Sequence, residues 1–327
     1  MPDPTPLSWT THAENPVIRP GQLHPGWDDD GAGACHVVQV GDTYRMYYWR
    51  WGPRGYLVLM AEAPVDDPNA WQPAGDGPLL KPDPETDYVS GGPSFPFVYP
   101  VDDSTWLMIF GAWGKPRDDG KLANASGLAI SDDAGLTWRY HEHSPCIPFD
   151  RDYDREATGS VCVVKVGDEF RMYYTSIADY FPKPDDVTSG HGDTIPWIGV
   201  AYATSTDGIH WHKPLDDFMI TARRYDADPY EYINSKPFVM HDGKQWRMWI
   251  STFGHAYRIR SLVSDDGIEW TRVPSGPDGD LGIGELGAFD DHQRSYASVV
   301  QHGNTLRMWY TGNGFGSTGM GYAEAGL

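Results

Sequence analysis

Three segments of the chain, aligned on a recurring Arg-Met strand, place an aromatic residue directly before an aspartate at the same offset: Trp27-Asp28, Tyr153-Asp154 and Phe289-Asp290. More acids stand close by, Asp30 after the first pair and Glu156 after the second, and a related segment, Tyr230-Glu231-Tyr232, carries a glutamate. Carboxylates brought from separate segments to one pocket can do acid–base chemistry. Like charges at close quarters raise the pKa of one of them. That group then holds a proton for a leaving group while another takes one from water. Glycosidic bond cleavage uses such a pair, with a separation of roughly 6.5–9.5 Å for inversion and about 5–5.5 Å for retention. A repeated aspartate also has an architectural reading, as a cap that accepts backbone N–H bonds in a turn.

The elements that would position these acids recur along the chain. Five segments share an apolar-x-Met-apolar-apolar pattern: Tyr44 to Tyr48, Trp106 to Phe110, Phe170 to Tyr174, Trp246 to Ile250 and Leu306 to Tyr310. Four of them have Arg before Met, and successive methionines are 62, 64, 76 and 60 residues apart. A repeat of this length marks an array of supersecondary units. Each unit runs from an apolar strand through a tight turn (Gly41-Asp42, Asp102-Asp103, Gly167-Asp168, Asp242-Gly243 or Gly303-Asn304) into the Met strand. Such turns suit hairpins because Gly, Asn and Asp tolerate positive φ. A third strand follows, then a Ser-x-Asp-Gly turn as at Ser205 to Gly208 and Ser264 to Gly267, then a strand opened by Trp138, Trp211 or Trp270. Four up-and-down strands make a propeller blade. The fifth unit stops at its third strand, and Leu7 to Ile18 resembles Leu136 to Ile147, so the N-terminal strand is expected to complete the last blade. The expectation is one all-β domain over residues 1–327, a five-bladed β-propeller of four-stranded blades. The aligned acids then lead into the first strands, at the mouth of the central channel.

Composition agrees. Gly (37) and Pro (27) are too frequent for a helix bundle, while 40% hydrophobic residues with 14 Trp and 19 Tyr supply a core that disordered chains lack. A formal charge of −21 repels phosphate backbones, so nucleic acid is not an expected partner. No apolar run is long enough to span a membrane, and the polar, Pro-rich start has no signal-peptide pattern, so a cytoplasmic location is expected. Cys35, Cys146 and Cys162 form no CxxC pair and read as buried thiols.

The five Arg-Met-Tyr-Tyr type strands and the Ala-x-Ser-x-Asp-Gly-Ile-x-Trp turn at Ala203 to Trp211 resemble the five-bladed propeller glycoside hydrolases and their relatives. These are the arabinofuranosidase/xylosidase group (family 43), the fructosidase group (family 32) and the mannoside phosphorylase group (family 130). The resemblance spans essentially the whole chain and implies an enzyme acting on a small-molecule glycoside or oligosaccharide. By the family 43 pattern, Asp28 or Asp30 is the base, Asp154 or Glu156 tunes the acid, and Glu231 is the acid. The fructosidase signatures are missing; blade 2 offers Gly91-Gly92-Pro93-Ser94 instead. A phosphorylase would need a basic cluster, for which Arg155, Lys236, His255, Arg258 and Arg294 are the candidates. Trp49, Trp51 and Trp113 could stack on sugar faces. Trp27, His36, Ser94, Asp290, His292 and Tyr296 are further substrate-contact candidates near the channel mouth. No cofactor is expected, with Ca²⁺ on the axis, held by His24, His36, Asp28 to Asp30 and His292, as the one alternative. The insert from Asp179 to Trp197 has the length of a functional lid. Two further readings stay open: another chemistry on the same fold (phosphorylase, lyase or cyclase), and a non-catalytic carbohydrate-binding propeller.

Overall fold

The computed structural model describes residues 4–115, 117–119, 121, 123–183, 185, 193–223 and 231–327. Among these the chain is built almost wholly of strands; helix is confined to turns at Asp87–Val89, Asp152–Asp154 and Asn313–Gly316. A short β1 (Thr10–Thr11) precedes the first unit, which is β2 (Gly33–Val40), β3 (Thr43–Arg50), β4 (Leu57–Pro64) and β5 (Gln72–Ala74). The second unit is β6 (Gly92–Pro100), β7 (Trp106–Trp113), β8 (Asn124–Ser131) and β9 (Arg139–Tyr140). The third has β10 (Ala157–Val166), β11 (Glu169–Pro182) and β12 (Thr194–Ser205). The fourth has β13 (Ile233–His241), β14 (Trp246–Phe253), β15 (Tyr257–Ser264) and β16 (Thr271–Arg272), and the fifth β17 (Ser295–His302), β18 (Thr305–Thr311) and β19 (Met320–Gly326).

Each unit is an antiparallel meander, as its short turns require. The first and second units are four-stranded sheets, and the fifth becomes one because β1 pairs with β19, Thr10 opposite Glu324 and Thr11 opposite Ala323. Asn15 reinforces this seam: its side chain donates to the Tyr322 carbonyl at 3.0 Å and accepts from the Tyr322 N–H at 2.8 Å. The third and fourth units depart from the expected pattern. They share one seven-stranded sheet, joined by a single parallel partner pair, Ile198 and Ile233. The fourth strand expected at Trp211 is reduced to isolated bridges, Thr204 to His212 and Val200 to Ile220.

The first strands form a closed cycle: β2 packs against β6, β6 against β10, β10 against β13, β13 against β17, and β17 against β2. The Met strands are buried on both faces between sheets, and Met46, Met108, Met172, Met248 and Met308 are all inaccessible. The flexible thioether suits the uneven gaps there. The neighbouring Arg and Tyr fasten one unit to the next. Arg45 Nη1 donates to the Ala134 carbonyl (2.6 Å) and Tyr47 to that of Gly135 (2.9 Å). Arg171 and Tyr173 repeat this on Asp266 (2.9 Å) and Gly267 (2.8 Å), and Arg307 reaches Val65 (2.7 Å). The repeated Ser-x-Asp-Gly turn is thus a docking point as well as a turn. Backbone N–H bonds from Ile268 and Glu269 hold its Asp266 carboxyl below the usual range.

Candidate functional site

A cavity of about 350 Å³ opens where the first strands begin, and all five units line it. One side is a band of rings. Trp113 stacks on Tyr56 (4.6 Å, 9°), Tyr56 meets Trp49 (5.4 Å), Trp49 meets Phe95 (5.1 Å), Phe95 meets Tyr296 (5.0 Å), and Tyr296 meets Tyr257 (5.5 Å). The other side is Thr175, Ile177, Ile198 and Ile233. Trp51 (42% exposed) and Phe315 (40%) stand at its mouth. Among the described residues no acidic or basic side chain lines this cavity.

Its shape follows from a defect shared by all five first strands. Each slips register at the same place: between Gly33 and His36, Ser94 and Phe97, Thr158 and Val161, Ser235 and Phe238, and Ser295 and Ser298. Four carry a non-glycine residue there with positive φ: Ala34 (41°), Phe95 (47°), Lys236 (48°) and Tyr296 (59°). A bulge re-aims side chains, and left-handed backbone at L-residues costs of order 1–3 kcal/mol each. Phe95 and Tyr296 line the cavity from these positions.

The three aligned aspartates are not in the cavity. Each is buried and accepts a hydrogen bond from a tyrosine twenty residues further on: Tyr48 to Asp28 at 3.0 Å, Tyr174 to Asp154 at 3.2 Å and Tyr310 to Asp290 at 2.8 Å. Asp28 also accepts from the His24 N–H (3.2 Å), Asp154 from Lys213 Nζ (2.5 Å) and Asp290 from Arg294 Nε (2.7 Å). This is the geometry of the architectural reading: each aspartate ties its lead-in turn to the end of its Met strand. Glu231 is also enclosed, with Arg272 gripping both oxygens (3.2 and 2.9 Å) and Arg260 Nε at 3.3 Å. Its neighbour Tyr230 lies outside the described residues.

Two of the acids remain on segments that flank the cavity. Asp30 is exposed, 3.6 Å from the buried Arg50 Nη1 and against Gly52, next to the mouth residue Trp51. Glu156 directly precedes β10, whose Thr158, Gly159 and Ser160 line the wall, and lies 2.8 Å from Lys121 Nζ and 3.3 Å from Arg117 Nη1.

Among the other expected contacts, Trp49, Trp51, Trp113 and Tyr296 line the cavity. Ser94 is buried behind it, accepting from Trp113 Nε1 at 2.8 Å. Trp27 lies apart, under the Arg54 guanidinium at 4.4 Å. His36 is buried against Phe97 (3.9 Å), and burial together with Lys236 holds it well below the usual histidine range. The basic residues form no single cluster, although the Arg294 charge reaches Arg258. Lys236 is sealed inside with its amine 3.4 Å from the Ala297 carbonyl, Arg155 pairs with Asp179 (2.7 Å), Arg294 with Asp290, and His255 and His292 are exposed in separate loops. Arg258 donates to the His292 carbonyl at 2.7 Å. The cation alternative finds no support in geometry: among the described residues no group of three His, Cys, Asp or Glu is placed to hold a metal ion, and His24 Nε2 is bonded to the Met60 carbonyl (2.8 Å). The three cysteines are free and buried, and no helix is long and apolar enough to cross a membrane among the described residues.

The insert extends the β11–β12 ribbon, Asp179 pairing with Trp197 and Pro182 with Thr194; its residues 184 and 186–192 lie outside the described set. Chain neighbours on this ribbon face different cavities. Ile177 and Ile198 face the central one, while Ala178 and Trp197 face an outer cleft of about 860 Å³ that also holds Tyr153, Phe218, Asp216 and Asp217. Sequence reasoning missed Tyr56, Phe95, Tyr257 and Phe315; the bulge that turns Phe95 inward leaves no compositional mark.

No protein-family profile matches the chain. Two proteins of Mycobacterium tuberculosis are similar, the uncharacterized proteins Rv1502 (strain H37Rv) and MT1551 (strain CDC 1551), each 28% identical over 250 residues, 75% of either chain. Among solved structures, a glycosyl hydrolase from Bacteroides ovatus superposes with a TM-score of 0.70 at 13% identity, covering 98% of this chain and 94% of that one. A member of the GH130 family of mannoside phosphorylases and glycoside hydrolases gives 0.69 at 13% identity, covering 99% and 95%. The α-L-arabinofuranosidase PaAbf62A of Podospora anserina, solved with cellotriose, gives 0.64 at 11% identity, covering 99% and 98%. At these identities the likeness establishes the fold: this chain has the all-β, propeller-like fold of these glycoside hydrolases.

Proposed function

We propose that the chain is a single five-bladed propeller domain, with the seven-stranded sheet counted as two blades, and that it is a cytoplasmic enzyme that cleaves a glycosidic bond. The observation that carries this reading is the central cavity. Every unit contributes to it, stacking surfaces line it, and two carboxylates, Asp30 and Glu156, stand on the segments beside it. One of the pair gives a proton to the leaving oxygen, and the other takes a proton from the water that attacks the anomeric carbon; in a phosphorylase a phosphate oxygen makes that attack itself. The likeness to glycoside hydrolases and to a mannoside phosphorylase family supports the same class of chemistry.

A panel of 4-nitrophenyl glycosides, assayed with and without inorganic phosphate, tests this. Turnover by the wild type is expected, with kcat lowered roughly 10²–10⁴-fold in Asp30→Asn and in Glu156→Gln and the melting temperature unchanged. Full activity in both variants overturns the assignment. A requirement for phosphate separates phosphorolysis from hydrolysis. A second reading, a ring-binding propeller without turnover, is favoured by the uncharged lining of the cavity, and saturable binding with no turnover would select it.

A further inference from the structure

We infer that the central cavity binds a flat, apolar ring group of one or two fused rings rather than a sugar ring. The inference rests on the reading of this cavity as the substrate site, and the ring is then the aglycone of an aryl glycoside.

A sugar ring carries a hydroxyl on most of its carbons, and each loses water on entering a closed pocket. Such a group costs free energy unless a partner replaces the water. Here the hydroxyls of Thr158, Ser160 and Thr175 and the indole N–H of Trp113 are already engaged with protein groups. Thr158 Oγ1 accepts from the Ser126 N–H (2.9 Å) and from its hydroxyl (3.1 Å). Ser160 and Thr175 share a hydrogen bond of 2.8 Å, and Thr175 Oγ1 also accepts from the Lys236 N–H at 2.9 Å. Trp113 Nε1 is committed to Ser94. The bonds from Ser126 to Thr158 and from Lys236 to Thr175 hold neighbouring units together, so releasing them for a ligand would loosen the wall.

Two buried polar atoms of lining residues have no hydrogen-bond partner among the described residues: Trp49 Nε1, a donor, and Asn124 Oδ1, an acceptor. One donor and one acceptor match a ring with a single hydroxyl, which accepts from the one and donates to the other. They do not match a polyol. The volume, about 350 Å³, is at the low end of the roughly 300–1,000 Å³ typical of small-molecule sites, and ring walls on one side with Ile177, Ile198 and Ile233 on the other favour a flat apolar body.

The test is binding of 1-naphthol against xylose, arabinose and mannose, followed by saturation-transfer NMR and calorimetry. Naphthol is expected to saturate and the sugars not to. Trp51→Ala and Phe315→Ala, both part-exposed and so compatible with folding, should each weaken naphthol roughly two- to tenfold. Saturation by the sugars without naphthol, or naphthol binding unchanged in both variants, overturns the inference. Turnover is read separately. Naphthol binding without turnover of any aryl glycoside overturns the enzyme reading alone. Turnover of alkyl glycosides without naphthol binding overturns this inference alone.

Discussion

Replacing Lys213 by Met asks directly whether Asp154 is architecture. Lys213 is 4% exposed, and its ammonium donates to Asp154 at 2.5 Å, to Asp150 at 2.8 Å and to the Pro148 carbonyl. Asp154 is wholly buried, and without the lysine it keeps only the Tyr174 hydroxyl (3.2 Å) and the Arg151 N–H via its other oxygen (3.0 Å). Removing one partner of a buried pair costs about 3–5 kcal/mol, because the other charge is left without compensation. The two remaining donors place this case near the lower end, about 3 kcal/mol. That is a large part of a typical ~5–15 kcal/mol of total stability, and corresponds in a chain of 327 residues to a fall in Tm of roughly 4 °C. Urea unfolding followed by tryptophan fluorescence measures it. The double variant Asp154→Asn/Lys213→Met should be more stable than Lys213→Met alone, since the stranded charge is gone. A loss below about 0.5 kcal/mol in Lys213→Met would sink the argument, placing the change among ordinary surface substitutions. Full stability but lost turnover in Asp154→Asn would move that residue into the chemistry.

Two other changes are expected to be as informative. Burial pushes the Asp280 carboxyl up from 3.8 to about 6, against the pull of Ser261 and Arg260. Between those values the unfolded chain gives up a proton that the folded one keeps, so this group's contribution falls as pH rises from 4 to 6. Asp280→Asn should remove up to about 3 kcal/mol of that dependence in urea midpoints, and identical slopes in variant and wild type would refute it. Gly92 has φ of +107°, and a Cβ there would overlap the Tyr56 carbonyl. Gly92→Ala should therefore cost more than about 2 kcal/mol by thermal melt, and a wild-type Tm would show that β6 and the segment at Tyr56 can part without loss.

The repeats, the Met strands and the N-terminal strand that completes the last sheet were legible in the sequence because hairpins are local. Alternation and turn residues encode them within a few positions. The aspartates were legible as a repeat, yet their role was not, since the deciding partners are Tyr48, Tyr174 and Tyr310 across the sheet. Glu231 illustrates the same limit at longer range: Arg272 lies forty-one residues away and carries no motif. The cavity was the least legible feature. Side-chain direction in a strand has period two, so a one-residue bulge reverses every assignment beyond it. The merged third and fourth units are a tertiary effect as well, hanging on the single Ile198–Ile233 pair.

The seam that closes the ring has a consequence for assembly. Thr10, Thr11, Asn15 and Ile18 meet Tyr322, Ala323, Glu324 and Met320 from the far end of the chain. Nothing in these contacts depends on the two ends belonging to the same molecule. The N-terminal arm of one copy can therefore occupy β19 of another, making the same bonds in a domain-swapped pair. Monomer and swapped pair then differ mainly in the entropy of association, and protein concentration becomes the variable that selects between them.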